Sequence, residues 1–294
     1  MPWLVLVLSL VQAAPSTLEA RVRQIIGASG AEVAVAMRTL DGRRQLLIDA
    51  DKPFHAASTM KVPIMIELFR QAEAGTLRLD EQLPIRNEFH SIVDGSVYQL
   101  SVGDDSDTEV YAQMGKTMTL RALCDAMITV SSNFAANLLI ERVGAENVRR
   151  TVGRLGADGM VVLRGVEDQK AFDKGMNNET TARALGVLMM KIAQGQAVGP
   201  AADAEMAAIL KRQKFHDAIP AGLPAGTVVG HKTGNITKIH HDAAIVYGPR
   251  PYVLVVLVRG IQDQKVSGPL IASISREVWN DLSRDPRPAF RDPR

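Results

Sequence analysis

One cysteine stands in 294 residues, and that scarcity excludes two kinds of chemistry. Cys124 has no partner for an intramolecular disulfide, and no thiolate metal cage can be built on it. It lies in an apolar helical stretch, 120–128, where a single cysteine behaves as a small buried hydrophobe. Charge of one sign is also missing: 34 Lys and Arg against 32 Asp and Glu leave a formal net charge of +2. No Lys/Arg block is long enough for a polyanion groove, so nucleic acid is not an expected partner. Internal repeats are absent. The apolar run over 3–11, roughly nine residues, is too short to span a bilayer. It is followed by Val11-Gln12-Ala13-Ala14, whose small residues fit a cleavage site. Residues 1–14 therefore read as a secretory signal peptide of a secreted or periplasmic chain, with no stable membrane insertion after processing. Only the α-amino group charges its start, and no cysteine follows to carry a lipid.

What is present is an ordinary globular composition, 46% hydrophobic and 22% charged, with ample length for a core. A helix is expected over 17–26. Alternating segments over 32–38 and 45–49 flank Asp41-Gly42, a hairpin signal. A helix starting near Ser58 runs to Ala74 and closes on Gly75. Residues 77–116 are irregular and polar, with a solvated acidic loop at 104–109. A calcium loop starting at Asp105 would need Gly and Glu where Val110 and Lys116 stand. Helices follow over 119–129, 134–143, 181–193 and 201–214, then strands over 228–233, 242–247 and 252–259. A last helix covers 269–282, and residues 285–294 read as a disordered tail. The expected fold is α/β of the α+β type: an antiparallel sheet flanked by terminal helices, with an inserted all-helical lobe. Residues 15–57 and 215–284 would form the α/β lobe, and 58–214 the helical lobe. Clefts between lobes favour small molecules.

The chemistry begins at Ser58-Thr59-Met60-Lys61. Residues three apart on a helix share a face, so Lys61 can reach the Ser58 hydroxyl. The apolar residues from Met60 to Phe69 are too many for a one-sided helix, so Lys61 starts a buried one. Burial and a second cation nearby would lower its pKa and fit it to take a proton. Lys232 in His231-Lys232-Thr233-Gly234, on an edge-like strand, supplies that cation. Gly234 would let a substrate backbone approach, and Lys232 with Thr233 could bind a carboxylate. Ser131 and Asn133, at a helix break, add a hydroxyl shuttle and an amide. His231, His240, His241 and Asp242 do not suggest a metal, because adjacent strand residues face opposite ways. No cofactor is expected.

Ser58-Thr59-Met60-Lys61, Ser131-Ser132-Asn133 and Lys232-Thr233-Gly234, in this order and spacing, resemble the class A β-lactamases and their penicillin-binding relatives. The likeness extends to 123–129, 135–139 and Thr180-Thr181-Ala182, and covers nearly the whole mature chain. It implies a β-lactamase or D,D-peptidase-like fold and a monomeric serine hydrolase acting on a small β-lactam or a peptidoglycan peptide. Ser58 would be the acylated nucleophile and Lys61 the base or relay. Ser131 would pass a proton to the β-lactam nitrogen, and Asn133 would hold the substrate amide. Lys232 and Thr233 would take the carboxylate, with the Ser58 and Asn235 N–H groups as oxyanion hole.

Three departures stand out. Class A enzymes carry Arg-x-Glu-x-x-x-Asn in a loop whose Glu and Asn position the deacylating water. Here the stretch is Arg164-Gly165-Val166-Glu167-Asp168-Gln169-Lys170: the Glu comes one residue late and no Asn follows in place. Glu167 or Asp168 could still activate water through an altered loop, and Arg164 with Glu179 could pin its neck. Met65 occupies the position where many relatives have a cysteine. The segment before Thr119 is longer, which reshapes one cleft wall and offers Tyr98 or Tyr111 as a substrate-facing aromatic. The rival reading is a D,D-peptidase-like penicillin-binding protein, or a sensor that stays acylated.

Overall fold

The computed structural model describes residues 17–284. The expected signal peptide and the tail over 285–294 lie outside the described residues.

Helix α1, Leu18–Ser29, starts where the Thr17 hydroxyl accepts the Ala20 N–H and ends at Gly30, whose φ of 67° suits glycine. Strands β1, Glu32–Thr39, and β2, Gln45–Ile48, form the expected hairpin. The chain then passes into helices α2, Lys61–Glu73, α3, Leu120–Thr129, and α4, Asn133–Val143. Helices α5, Ala145–Arg154, α6, Gln169–Asp173, α7, Ala182–Ala193, and α8, Pro200–Leu210, follow. It returns as strands β3, Val228–Ile236, β4, Ile239–Tyr247, and β5, Tyr252–Arg259, and closes with helix α9, Gln264–Ser283.

The five strands make one antiparallel sheet in the order β2-β1-β5-β4-β3. The first and last parts of the chain meet in it: β1 pairs with β5 from Glu32 opposite Arg259 to Thr39 opposite Tyr252. Alternation along β5 divides its side chains between two cores. Leu254 and Val256 pack with Ile271, Ile274 and Val278 of α9, while Val253, Val255 and Leu257 face the helices of the middle segment. A strand apolar on both faces is therefore the buried centre of a covered sheet, and β3 is left at the edge.

Helix α2 is the axis of the second core. Val62, Ile64, Met65, Ile66 and Leu68 are all 0% exposed. Each such side chain contributes about 1.5–3 kcal/mol on burial. Together they offset the several kcal/mol of desolvation that a buried Lys61 amine costs if charged.

Several elements differ from the sequence reading, among them α8, which ends at Leu210, short of the expected 214. Strands β3 and β4 are longer than expected because Thr237 and Lys238 make a two-residue turn, with Lys238 at φ 59°. Nothing in Ile236-Thr237-Lys238-Ile239 signals a turn, since the left-handed residue is neither Gly nor Asn. Helix α9 starts at Gln264, capped by Asp263, and takes Pro269 inside. Helix α5, polar over much of its surface, was not expected from the sequence.

Candidate active site

Ser58 sits on a short 3-10 turn, Ala57–Met60, just before α2. Ala57 takes a left-handed φ of 46°, a strained conformation for a residue with a side chain. Its neighbours hold it: the Ala57 N–H donates to His55 Nδ1 at 3.0 Å, the Thr59 hydroxyl to the Ala56 carbonyl at 2.6 Å, and the Ala56 N–H to the Asn178 carbonyl at 2.8 Å. The edge strand β3 presses on the same turn. A Cβ on Gly234 would lie 2.9 Å from Thr59 Cγ2 and 3.1 Å from Thr59 N. The backbone that Gly234 admits is thus the chain's own, where the sequence suggested a substrate's.

Lys61 is 0% exposed, yet its Nζ has four polar partners. They are the Ser131 carbonyl at 2.6 Å, Asn133 Oδ1 at 2.8 Å, Ser58 Oγ at 3.1 Å and Ser131 Oγ at 3.2 Å. The two shortest are carbonyl oxygens that can only accept. A neutral amine has two N–H groups and one lone pair; giving both N–H groups to these carbonyls leaves the lone pair for the Ser58 O–H. Burial pushes the Lys61 pKa down to about 7, although the Asp105 and Glu167 charges pull it up. The geometry and the lowered pKa both make Lys61 a competent base for Ser58.

Ser131 lies at the break between α3 and α4 with φ 59°. Its hydroxyl stands between two amines: Lys232 Nζ approaches at 2.9 Å and Lys61 Nζ at 3.2 Å. Lys232 is also 0% exposed and donates to the Thr233 carbonyl at 2.8 Å. Burial, then the nearby Lys61 charge, hold its pKa well below the usual lysine value. Ser58, Ser131, Asn133, Thr233 and Asn235 line one cavity of about 770 Å³. The two lysines stand behind it. Phe215, His216 and His240 line the same cavity and were not singled out in the sequence for that place.

Residues 17–282 match the model of the β-lactamase enzyme family. The chain belongs to that family. It is 30% identical to the β-lactamase AST-1 of Nocardia asteroides, over 86% of this chain and 80% of that protein. A mutant of PBP-A, solved as an acyl-enzyme complex with penicillin G, superposes with a TM-score of 0.79 at 27% identity. That match covers 91% of this chain and 97% of the other. The ancestral class A β-lactamase GNCA gives a TM-score of 0.78 at 25% identity, over 90% of this chain and 100% of its own.

Within this family fold, the loop that carries the late Glu is held differently from the sequence expectation. Arg164 does not pair with Glu179. Its guanidinium is buried and donates to the Met176 carbonyl at 3.0 Å, the Gly165 carbonyl at 3.0 Å and Asn177 Oδ1 at 3.4 Å. Glu179 is exposed and spends its backbone on a bridge to Val161. The neck is pinned by Asn178, whose side chain accepts from the Leu163 and Arg164 N–H groups at 2.7 and 3.2 Å and donates to the Arg164 carbonyl at 2.9 Å.

Glu167 reaches the site and Asp168 does not. Glu167 has φ 63°, and its Oε1 accepts from Asn133 Nδ2 at 3.0 Å. Asn133 thus bridges Glu167 and Lys61. Desolvation, reinforced by the charges of Asp105 and Asp104, raises the Glu167 pKa against the opposing Asn133 bond. Asp168 is 2% exposed and accepts from Ser91 Oγ and the Ile92 N–H at 2.9 Å and the Ala171 N–H at 3.1 Å. Its oxygens are committed to holding the loop, so it is no candidate for water activation.

The aromatic candidates are also packing residues. The Tyr98 hydroxyl lies 3.3 Å from the Val166 carbonyl, beneath the loop, and Tyr111 packs on Phe134 with ring centroids 4.5 Å apart. His240 Nδ1 meets Ser267 Oγ at 2.8 Å, while His241 is held between the Val258 N–H and the His55 carbonyl. Buried Cys124 has its thiol pushed up to about 12 by desolvation, in keeping with an inert core residue.

Proposed function

We propose that this protein is a serine β-lactamase of class A type that opens β-lactam amides through an acyl-enzyme on Ser58. The observation that carries this is the Lys61 amine, whose short bonds to two carbonyl oxygens leave its lone pair for Ser58. Lys61 takes the Ser58 proton as Oγ attacks the carbonyl carbon. The Ser58 and Asn235 N–H groups receive the oxyanion. Ser131, with Lys61 and Lys232 on its hydroxyl, returns a proton to the departing nitrogen. Lys232 and Thr233 hold the substrate carboxylate, and Asn133 its side-chain amide. Glu167 draws a proton from water to release the acyl group. No cofactor takes part.

We further take residues 15–57 with 215–284 as one lobe and 58–214 as the other, with substrate bound between them. The short apolar run before Ala13 and Ala14 supports secretion, and among the described residues no helix is long and apolar enough to cross a membrane. Nothing in the chain demands an oligomer, and we take the working form as a monomer.

A second reading keeps acylation and removes fast release: a D,D-peptidase-like penicillin-binding protein, or a sensor that stays acylated. The atypical loop favours it, because Glu167 has Asn133 as its hydrogen-bond partner and no following Asn to share a water. A chromogenic cephalosporin separates the two. Steady colour lost in Ser58→Ala supports the lactamase. A single stoichiometric burst supports the second reading, and no reaction at all contradicts both.

A further inference from the structure

The acidic run over 104–109 is exposed at Asp104, Ser106, Thr108 and Glu109, as its sequence suggests, but Asp105 is half-buried and Asp107 buried. It grips the outer side of the Ser131 turn. Asp105 accepts the Asn133 N–H at 3.0 Å on both oxygens and the Phe134 N–H at 2.9 Å. Its Oδ1 also accepts the Asp107 N–H at 3.2 Å, which folds the run back on itself. The Ser106 hydroxyl donates to the Val130 carbonyl at 2.6 Å. From the inner side, Lys61 Nζ holds the Ser131 carbonyl and Asn133 Oδ1. The N–H groups that Asp105 takes are those left unpaired at the start of α4, where a carboxylate is favoured. A turn with Ser131 at φ 59° persists only when its surroundings over-determine it.

We propose that Asp105 is a positioning residue for acylation, fixing the Ser131–Asn133 turn against Lys61 and supplying a fixed negative charge that Lys61 feels. This rests on the Ser58–Lys61 reading above. Three charged groups bear on Lys61: Asp105 and Glu167 favour its ammonium, and Lys232 opposes it. Removing the Asp105 charge leaves burial and Lys232 less opposed, so Lys61 becomes neutral at lower pH. A clamp that was only mechanical would slow acylation without moving its pH dependence.

The test follows the rate of acylation by a fluorescent penicillin in the full chain, from about pH 5 to about pH 9. Asp105→Asn keeps the size and one acceptor oxygen. Its rate at high pH should fall about tenfold to a hundredfold. Its acidic limb should move to lower pH by about half a unit or more. Asp105→Glu should return the limb toward its original place. An unmoved limb in Asp105→Asn overturns the inference. If that variant does not fold, Asp105→Ser is judged by the same limb. An NMR titration of the Lys61 side chain, which needs no turnover, should show a lower midpoint in the same variant, and an equal midpoint overturns the charge role. Failure of the wild type to form any adduct removes the acylation reading beneath, whereas a wild-type adduct with an unmoved limb removes only the role of Asp105.

Discussion

At the scale of single residues, the site turns on which groups can give up a proton near neutrality. The Lys61 pKa is lowered to about 7, so the base-competent neutral amine grows as pH rises through that value. Acylation measured as kcat/KM should therefore climb along a limb near pH 7 and level off above it. Lys61→Arg, which cannot become neutral, should lose about 10²–10⁴-fold with no such limb. Glu167 has its pKa raised, so release should weaken with falling pH sooner than it would for an unperturbed glutamate. That Ser58, Lys61, Ser131 and Lys232 come together was legible in the sequence because their side-chain types recur at a recognisable spacing. Asp105 was not, because its partners are backbone N–H groups in another part of the chain. Any carboxylate in a polar loop looks the same until the fold shows what it touches.

At the scale of elements, the loop from Arg164 to Glu179 shows where charge alone misleads. An Arg and a Glu at its two ends suggested an ion pair, yet a short neutral amide does the work. The Asn178 side chain is both donor and acceptor, so it can serve both kinds of backbone group, which a carboxylate cannot. Asn178→Ala leaves the buried Arg164 N–H, the half-buried Leu163 N–H and the Arg164 carbonyl without that partner. It should destabilise the fold by about 1–3 kcal/mol, read by denaturant unfolding, and slow release of the acyl group more than its formation. Equal slowing of both steps would separate this loop from release. The Thr237-Lys238 turn was missed because its left-handed residue is neither Gly nor Asn; α5 did carry a signal, with Val148, Thr151 and Val152 at helical spacing after Gly144, and the sequence reading passed over it.

At the scale of the whole molecule, the general architecture was legible because the apolar run of β5 must be covered by other elements and the apolar helix α2 must be buried almost all round. The sheet separates two cores, and helix α2, which begins with Lys61, lies in the one formed with the middle helices. Ile274→Ala, in the core beneath α9, should cost about 2–5 kcal/mol in stability while leaving kcat unchanged well below the melting temperature. A loss of kcat in the folded variant would mean that the sheet transmits packing changes to Lys232. The intact protein also offers the most direct test of the proposed chemistry: time-resolved intact mass after mixing with penicillin G, for the wild type and for Glu167→Gln. The wild type should show an adduct on Ser58 that decays as product accumulates, and Glu167→Gln should hold that adduct about 10²-fold longer or more. An adduct on any residue other than Ser58, or equal adduct lifetimes in the two proteins, would contradict it.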